Sequence, residues 1–143
     1  MATLLVEIVT PEVALWSGEA TALLARSSEG QFTILPEHTP LVGNIVPGVV
    51  RVATASGELS FLVHGGFFQV GRGDEEGVTR ATVLAGVAER LEDVDLARAQ
   101  VAKETVEATL ASLGDEDEGE RAEALAALAR ADTRLRVRTT TSK

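Results

Sequence analysis

In the first half of the chain apolar and polar residues alternate with a period of two: Leu4, Val6 and Ile8, then Val50 and Val52, then the run Val78-Thr79-Arg80-Ala81-Thr82-Val83. A strand sends successive side chains to opposite faces, so this alternation predicts short strands with one buried face. All four prolines (Pro11, Pro36, Pro40, Pro47) lie in the first third, and glycines recur as punctuation from Gly18 to Gly86. Gly65-Gly66 and the stretch from Gly71 to Gly77, made acidic by Asp74, Glu75 and Glu76, predict hairpin corners. Many short strands between glycine turns favour a β-sandwich or barrel.

The period changes after Gly86. From Asp93, which is placed to cap a first turn, Leu96, Ala99, Val106, Leu110 and Leu113 recur at three- and four-residue steps and predict a helix. Leu125, Leu128 and Leu135 mark a second. The polar stretch from Gly114 to Gly119 between them predicts an antiparallel helical hairpin. The fold class is therefore mainly β plus α, with an N-terminal β-sandwich over 1–88 and a two-helix hairpin over 89–143, the boundary falling within 86–92. Ala99, Ala102, Ala124, Ala127 and Ala131 populate the predicted contact faces of the hairpin. Alanine buries little apolar area, so the hairpin is expected to be lightly held and able to change position.

Composition narrows the function. A chain of 143 residues with 45% hydrophobic content can bury one full core or a small domain with a helical appendage. The net charge of −9 argues against a nucleic-acid partner, whose phosphates need a field of the opposite sign. The absence of cysteine removes disulfides, thiolate metal sites and thiol nucleophiles. The longest apolar stretch, Leu41 to Val50, is interrupted by Gly43, Asn44, Pro47 and Gly48, so neither a leader peptide nor a membrane span is expected.

Candidate chemistry is sparse. His38 and His64 are the two histidines, too few for a histidine metal cluster, and no metal ligand set or catalytic group is assigned. The paired carboxylates of the acidic turn read as a solvated loop. His38, within Leu35-Pro36-Glu37-His38-Thr39-Pro40, sits on a rigid loop between strand signals and reads either as a turn residue or as a partner contact. Trp16 reads as core. These observations point to a docking protein without catalysis of its own.

The order of motifs adds a resemblance. Glu7-Ile8-Val9-Thr10-Pro11-Glu12, Trp16-Ser17-Gly18 and the run from Gly30 through Leu35-Pro36-Glu37-His38-Thr39-Pro40-Leu41 resemble the opening of the epsilon subunits of F-type ATP synthases. Pro47-Gly48-Val49-Val50-Arg51-Val52, Gly65-Gly66-Phe67-Phe68-Gln69-Val70, Val83-Leu84-Ala85, Ala88-Glu89-Arg90, Asp95-Leu96-Ala97-Arg98-Ala99 and Leu135-Arg136-Val137 follow in the family's order. The resemblance implies a rotor component of the central stalk, peripheral on the cytoplasmic face of the cell membrane. It would touch the membrane only through the complex, coupling proton flow to ATP synthesis. The partners it implies are the gamma subunit, the c-ring, and the alpha and beta subunits.

The resemblance also implies roles for particular residues. Gamma and c-ring contacts carry over to Glu29, Gly30, Gln31 and His38; many relatives have an acidic residue where this chain has Gln31. The family's C-terminal helices restrain ATP hydrolysis, and Arg130, Arg134, Arg136 and Arg138 would pair with acidic segments of the beta subunit. A basic helix end is also favoured by the helix dipole whatever the function. Some bacterial members bind regulatory ATP on the hairpin, and the matching residues are Glu89, Val94, Asp95, Arg98 and Ala99, with Arg130 and Arg134 on the second helix. Val94 replaces the usual Ile or Leu, and Thr105 stands where a further arginine is usual. The plainer reading makes Asp95 a first-turn acid and Arg98 its surface neighbour. A free-standing ATP-sensing or small-ligand-binding module is the competing reading of the whole chain.

Overall fold

β1 (Thr3–Val9) buries Leu4, Val6 and Ile8 and leaves the alternate positions partly exposed, as its period-two pattern requires. The computed structural model describes residues 2–114 and 117–141, with side chains described through Arg136. After β1 come β2 (Ala14–Ala20), β3 (Ala22–Ser27), β4 (Gly30–Ile34), β5 (Leu41–Ile45) and β6 (Gly48–Thr54). β7 (Gly57–Val63), β8 (Gly66–Arg72), β9 (Val78–Ala85) and β10 (Ala88–Arg90) complete the strands. One sheet runs β2-β1-β9-β8-β5 and the other β10-β7-β6-β3-β4. The β1–β9 pairing is parallel and the remaining pairings are antiparallel.

The inner faces of the two sheets meet in one core. Leu4, Val6, Ile8, Leu23, Ile34, Val50, Val52, Phe61, Val63 and Val83 are buried there, with Trp16 packed against it and Phe32 stacked on Phe68 at 4.4 Å between ring centroids. Burial of each large aliphatic side chain stabilises by roughly 1.5–3 kcal/mol, which makes this sandwich the stable part of the chain. β10 pairs with β7 through Ala88 and Val63, and the Arg90 guanidinium lies 5.6 Å from the Phe61 ring centroid. The sandwich therefore continues past residue 88, and the chain divides into the units Met1–Glu92 and Asp93–Lys143.

The second unit contains α1 (Leu96–Ser112) and α2 (Glu118–Thr141). Asp95, not Asp93, caps α1: its Oδ1 accepts from the Arg98 N–H at 3.2 Å. Asp93 is instead used by the short 3₁₀ turn Leu91–Asp93. The helices run in opposite directions. Arg121 Nη2 donates to the Leu113 carbonyl at 3.3 Å, while farther from the loop Lys103 Nζ meets Asp132 Oδ1 at 2.9 Å. Each step up α1 is thus matched by a step down α2. Ala99, Ala124 and Ala131 are buried as the spacing predicted, but Ala102 is exposed and so is Leu125. Both lie off the contact stripe, which three buried alanines and Thr133 make narrow.

Candidate docking surfaces

The β3–β4 turn is held by its own side chains. Ser27 Oγ accepts from the Glu29 N–H at 3.1 Å and donates to the Gly30 carbonyl at 3.3 Å. Gly30 takes φ 126, which a residue with a Cβ rarely adopts. Asn44, on β5 of the opposite sheet, receives the Ser28 hydroxyl on Oδ1 at 3.2 Å and ties the two sheets together at this end. Glu29 and Gln31 are exposed on the turn, with Gly30 between them.

The loop after β4 is equally well defined. His38 N–H donates to the Leu35 carbonyl at 3.1 Å, closing a turn whose third residue, Glu37, has φ 72. The Glu37 N–H donates to the hydroxyl of buried Thr79 at 2.8 Å. His38 Nδ1 lies 2.7 Å from the Thr39 carbonyl, a contact that requires Nδ1 to carry the hydrogen. The structure does not bring His38 together with Glu29, Gly30 and Gln31. Gly30 and Gln31 open β4 and His38 follows its far end; the four steps of the strand alone span about 13 Å at the usual rise. These residues therefore mark opposite ends of the sandwich, and a small contact surface could not take both.

Between those ends lies an apolar strip that sequence reasoning did not single out. Phe67 on β8 is 62% exposed, pairs with Leu84 on β9 on one side and Asn44 on β5 on the other, and Val42 on β5 is 70% exposed. Leu84 is also exposed, and Val9 follows it across the ladder on β1. The strip occupies the outer face of its sheet. A signal for it was present: Phe67 and Phe68 are consecutive in a strand, so one aromatic had to face away from the core.

On the hairpin the predicted residues are dispersed. Glu89 belongs to β10, where its Oε1 lies 3.4 Å from Nε2 of His64, whose side chain is buried. Val94 is buried, Asp95 is the helix cap, and Ala99 is only 3% exposed, so of the Val94-to-Ala99 group Asp95 and Arg98 reach solvent. In this conformation Ala99 offers no free surface on which a base could stack. The ion-pair register sets Arg134 opposite Val101 and Arg130 opposite Thr105, so along the axis these arginines stand about 5 and 10 Å from Arg98 at 1.5 Å per residue. Arg130 and Arg134 are half-buried and Arg136 is exposed, while the side chain of Arg138 lies outside the described residues. Hydrogen bonding from Asp132, and then its charge attraction, raise the Lys103 pKa above its ordinary value. Among the described residues no helix is long and apolar enough to cross a membrane, and no group of acids and histidines could hold a metal.

Residues 3–91 match the family described as "ATP synthase, Delta/Epsilon chain, beta-sandwich domain", and residues 92–138 match "ATP synthase, Delta/Epsilon chain, long alpha-helix domain". The chain is 43% identical over 136 residues to the ATP synthase epsilon chain of Thermobifida fusca (strain YX), covering 93% of this chain and 90% of that one. It is 40% identical over 141 residues to the ATP synthase epsilon chain of Bordetella avium (strain 197N), covering 95% and 96% respectively. Its fold resembles a chain in the cryo-EM structure of the Euglena gracilis mitochondrial ATP synthase, OSCP/F1/c-ring in rotational state 1, with a TM-score of 0.69, 22% identity, and coverage of 93% of this chain and 79% of that one. At that identity the likeness speaks for the fold alone.

Proposed function

The chain belongs to the ATP synthase delta/epsilon chain family, and from that premise we propose that it is a non-catalytic rotor component of the central stalk of an F-type synthase, on the cytoplasmic face of the membrane. The sandwich is the docking element and the hairpin the regulatory one. The observation that carries this reading is the strip formed by Val42, Phe67 and Leu84, large apolar side chains exposed on a rigid sheet. Such a strip is stable in water only at a cost, and covering it with a partner contributes roughly 1.5–3 kcal/mol for each large side chain fully buried. The gamma subunit is the partner assigned to it.

The two ends of the sandwich take different contacts. The Glu29-Gly30-Gln31 turn and the His38 loop lie at the two ends of β4; this reading gives them to different partners, the c-ring and the gamma subunit. Gln31 offers a neutral hydrogen-bonding group in place of an ion pair. The hairpin restrains ATP hydrolysis when Arg130, Arg134, Arg136 and Arg138 reach acidic segments of the beta subunit, a contact that weakens with salt.

The strip is tested by Phe67→Asp. Phe67 faces solvent in the free chain, so the fold should survive with an unchanged Tm. Incorporation into the synthase should fall at least tenfold when measured by quantifying the chain in purified complexes. Wild-type incorporation of the variant would remove the strip from the interface.

A further inference from the structure

The loop ahead of His38 holds an unusual backbone. Leu35 to His38 form a hydrogen-bonded turn with Pro36 second and Glu37 third, and φ 72 at Glu37 makes it a type II turn. The third position of that turn favours glycine, because a Cβ is strained at positive φ. Glutamate lacks the short polar side chain that lets asparagine and aspartate tolerate it. Glu37 is the single non-glycine residue with positive φ among the described residues.

Thr79 explains how the strain is held. It belongs to the inward row of β9 with Ala81, Val83 and Ala85, is 5% exposed, and its hydroxyl accepts the Glu37 N–H at 2.8 Å. The same dipeptide could form a type I turn by flipping the Pro36–Glu37 peptide, which would point that N–H elsewhere and strand the buried hydroxyl without this partner. Thr79 therefore selects the flip. The consequence is a fixed outward direction for the exposed Glu37 side chain, which makes no ion pair among the described residues. Strain retained by an over-determined backbone at an exposed charge is a mark of function.

We infer that Glu37 is a partner-contact residue, its carboxylate held out by the Thr79-locked turn to meet a basic side chain on the gamma subunit, the partner already assigned to the sandwich's apolar strip. The inference rests on the stalk reading above. Thr79 is a positioning residue and does not touch the partner.

The test uses the full chain and a synthase stalk subcomplex stripped of it, with affinity measured by calorimetry at low and high salt and Tm measured on the free chain. Glu37→Gln should leave Tm unchanged, lower affinity about three- to tenfold and reduce its salt dependence. Glu37→Gly should raise Tm, because it relieves the strain, and lose the same affinity. Thr79→Val should weaken binding while keeping the wild-type salt dependence, and Thr79→Ser, which restores the hydroxyl, should bind as wild type. Glu37→Gln with wild-type affinity and salt dependence would overturn the inference while leaving the stalk reading intact. A wild-type chain that fails to bind the stripped subcomplex would overturn both.

Discussion

Gly66 opens β8 at φ 154, and a Cβ there would drive into the Leu84 carbonyl oxygen and come within 3.0 Å of the Ala85 Cα. Both obstacles are backbone, so neither can swing aside. Gly66→Ala should destabilise the sandwich by about 2–4 kcal/mol, read as a lowered urea midpoint with an unchanged slope. The Gly65-Gly66 corner was legible in the sequence because glycine pairs mark tight turns. The Leu35–His38 turn was legible only as a turn. Pro36 fits the second position of type I and type II alike, and the choice between them is made by Thr79, 42 residues away. The cap shifted from Asp93 to Asp95 for a related reason: either acid suits a first turn, and the 3₁₀ turn Leu91–Asp93 consumed the earlier one.

Between the helices, packing and charge divide the work unevenly. The contact buries Ala99, Ala124 and Ala131, which bring backbones close but remove little apolar area from water. The Lys103–Asp132 pair at 2.9 Å then sets the register. Lys103→Glu and Asp132→Lys should each loosen the hairpin, seen as faster hydrogen exchange of α1 amides in low salt. The double variant Lys103→Glu with Asp132→Lys should return exchange toward wild type; no recovery would mean the pair does not set the register. The pH dependence follows from the direction of the Lys103 shift. Its folded pKa is raised, so the contribution is complete below the ordinary lysine pKa and is lost as pH rises through the folded value. The alternating strands and the helical period were both legible at this scale. Which leucines and alanines face inward was less so, since Ala102 and Leu125 fit the spacing yet lie outside a stripe only one alanine wide.

At the scale of the molecule, a sandwich with a complete core is joined to a hairpin with almost none, and the function proposed above gives docking to the first and restraint of hydrolysis to the second. The order of motifs along the chain was enough to suggest the family, because corners and turns occur at positions the fold dictates. The exposed apolar strip was harder to read: Val42, Phe67 and Leu84 come from three strands, and only sheet pairing sets them side by side. If docking belongs to the sandwich alone, as proposed, the hairpin is dispensable for assembly. The most direct measurement is the amount of this chain, ended after Glu92, that remains in synthase purified through a tag on another subunit. The truncated chain is expected in the same proportion to the gamma subunit as the full chain. Loss of the truncated chain from the complex, with its sandwich still folded, would contradict docking by the sandwich alone.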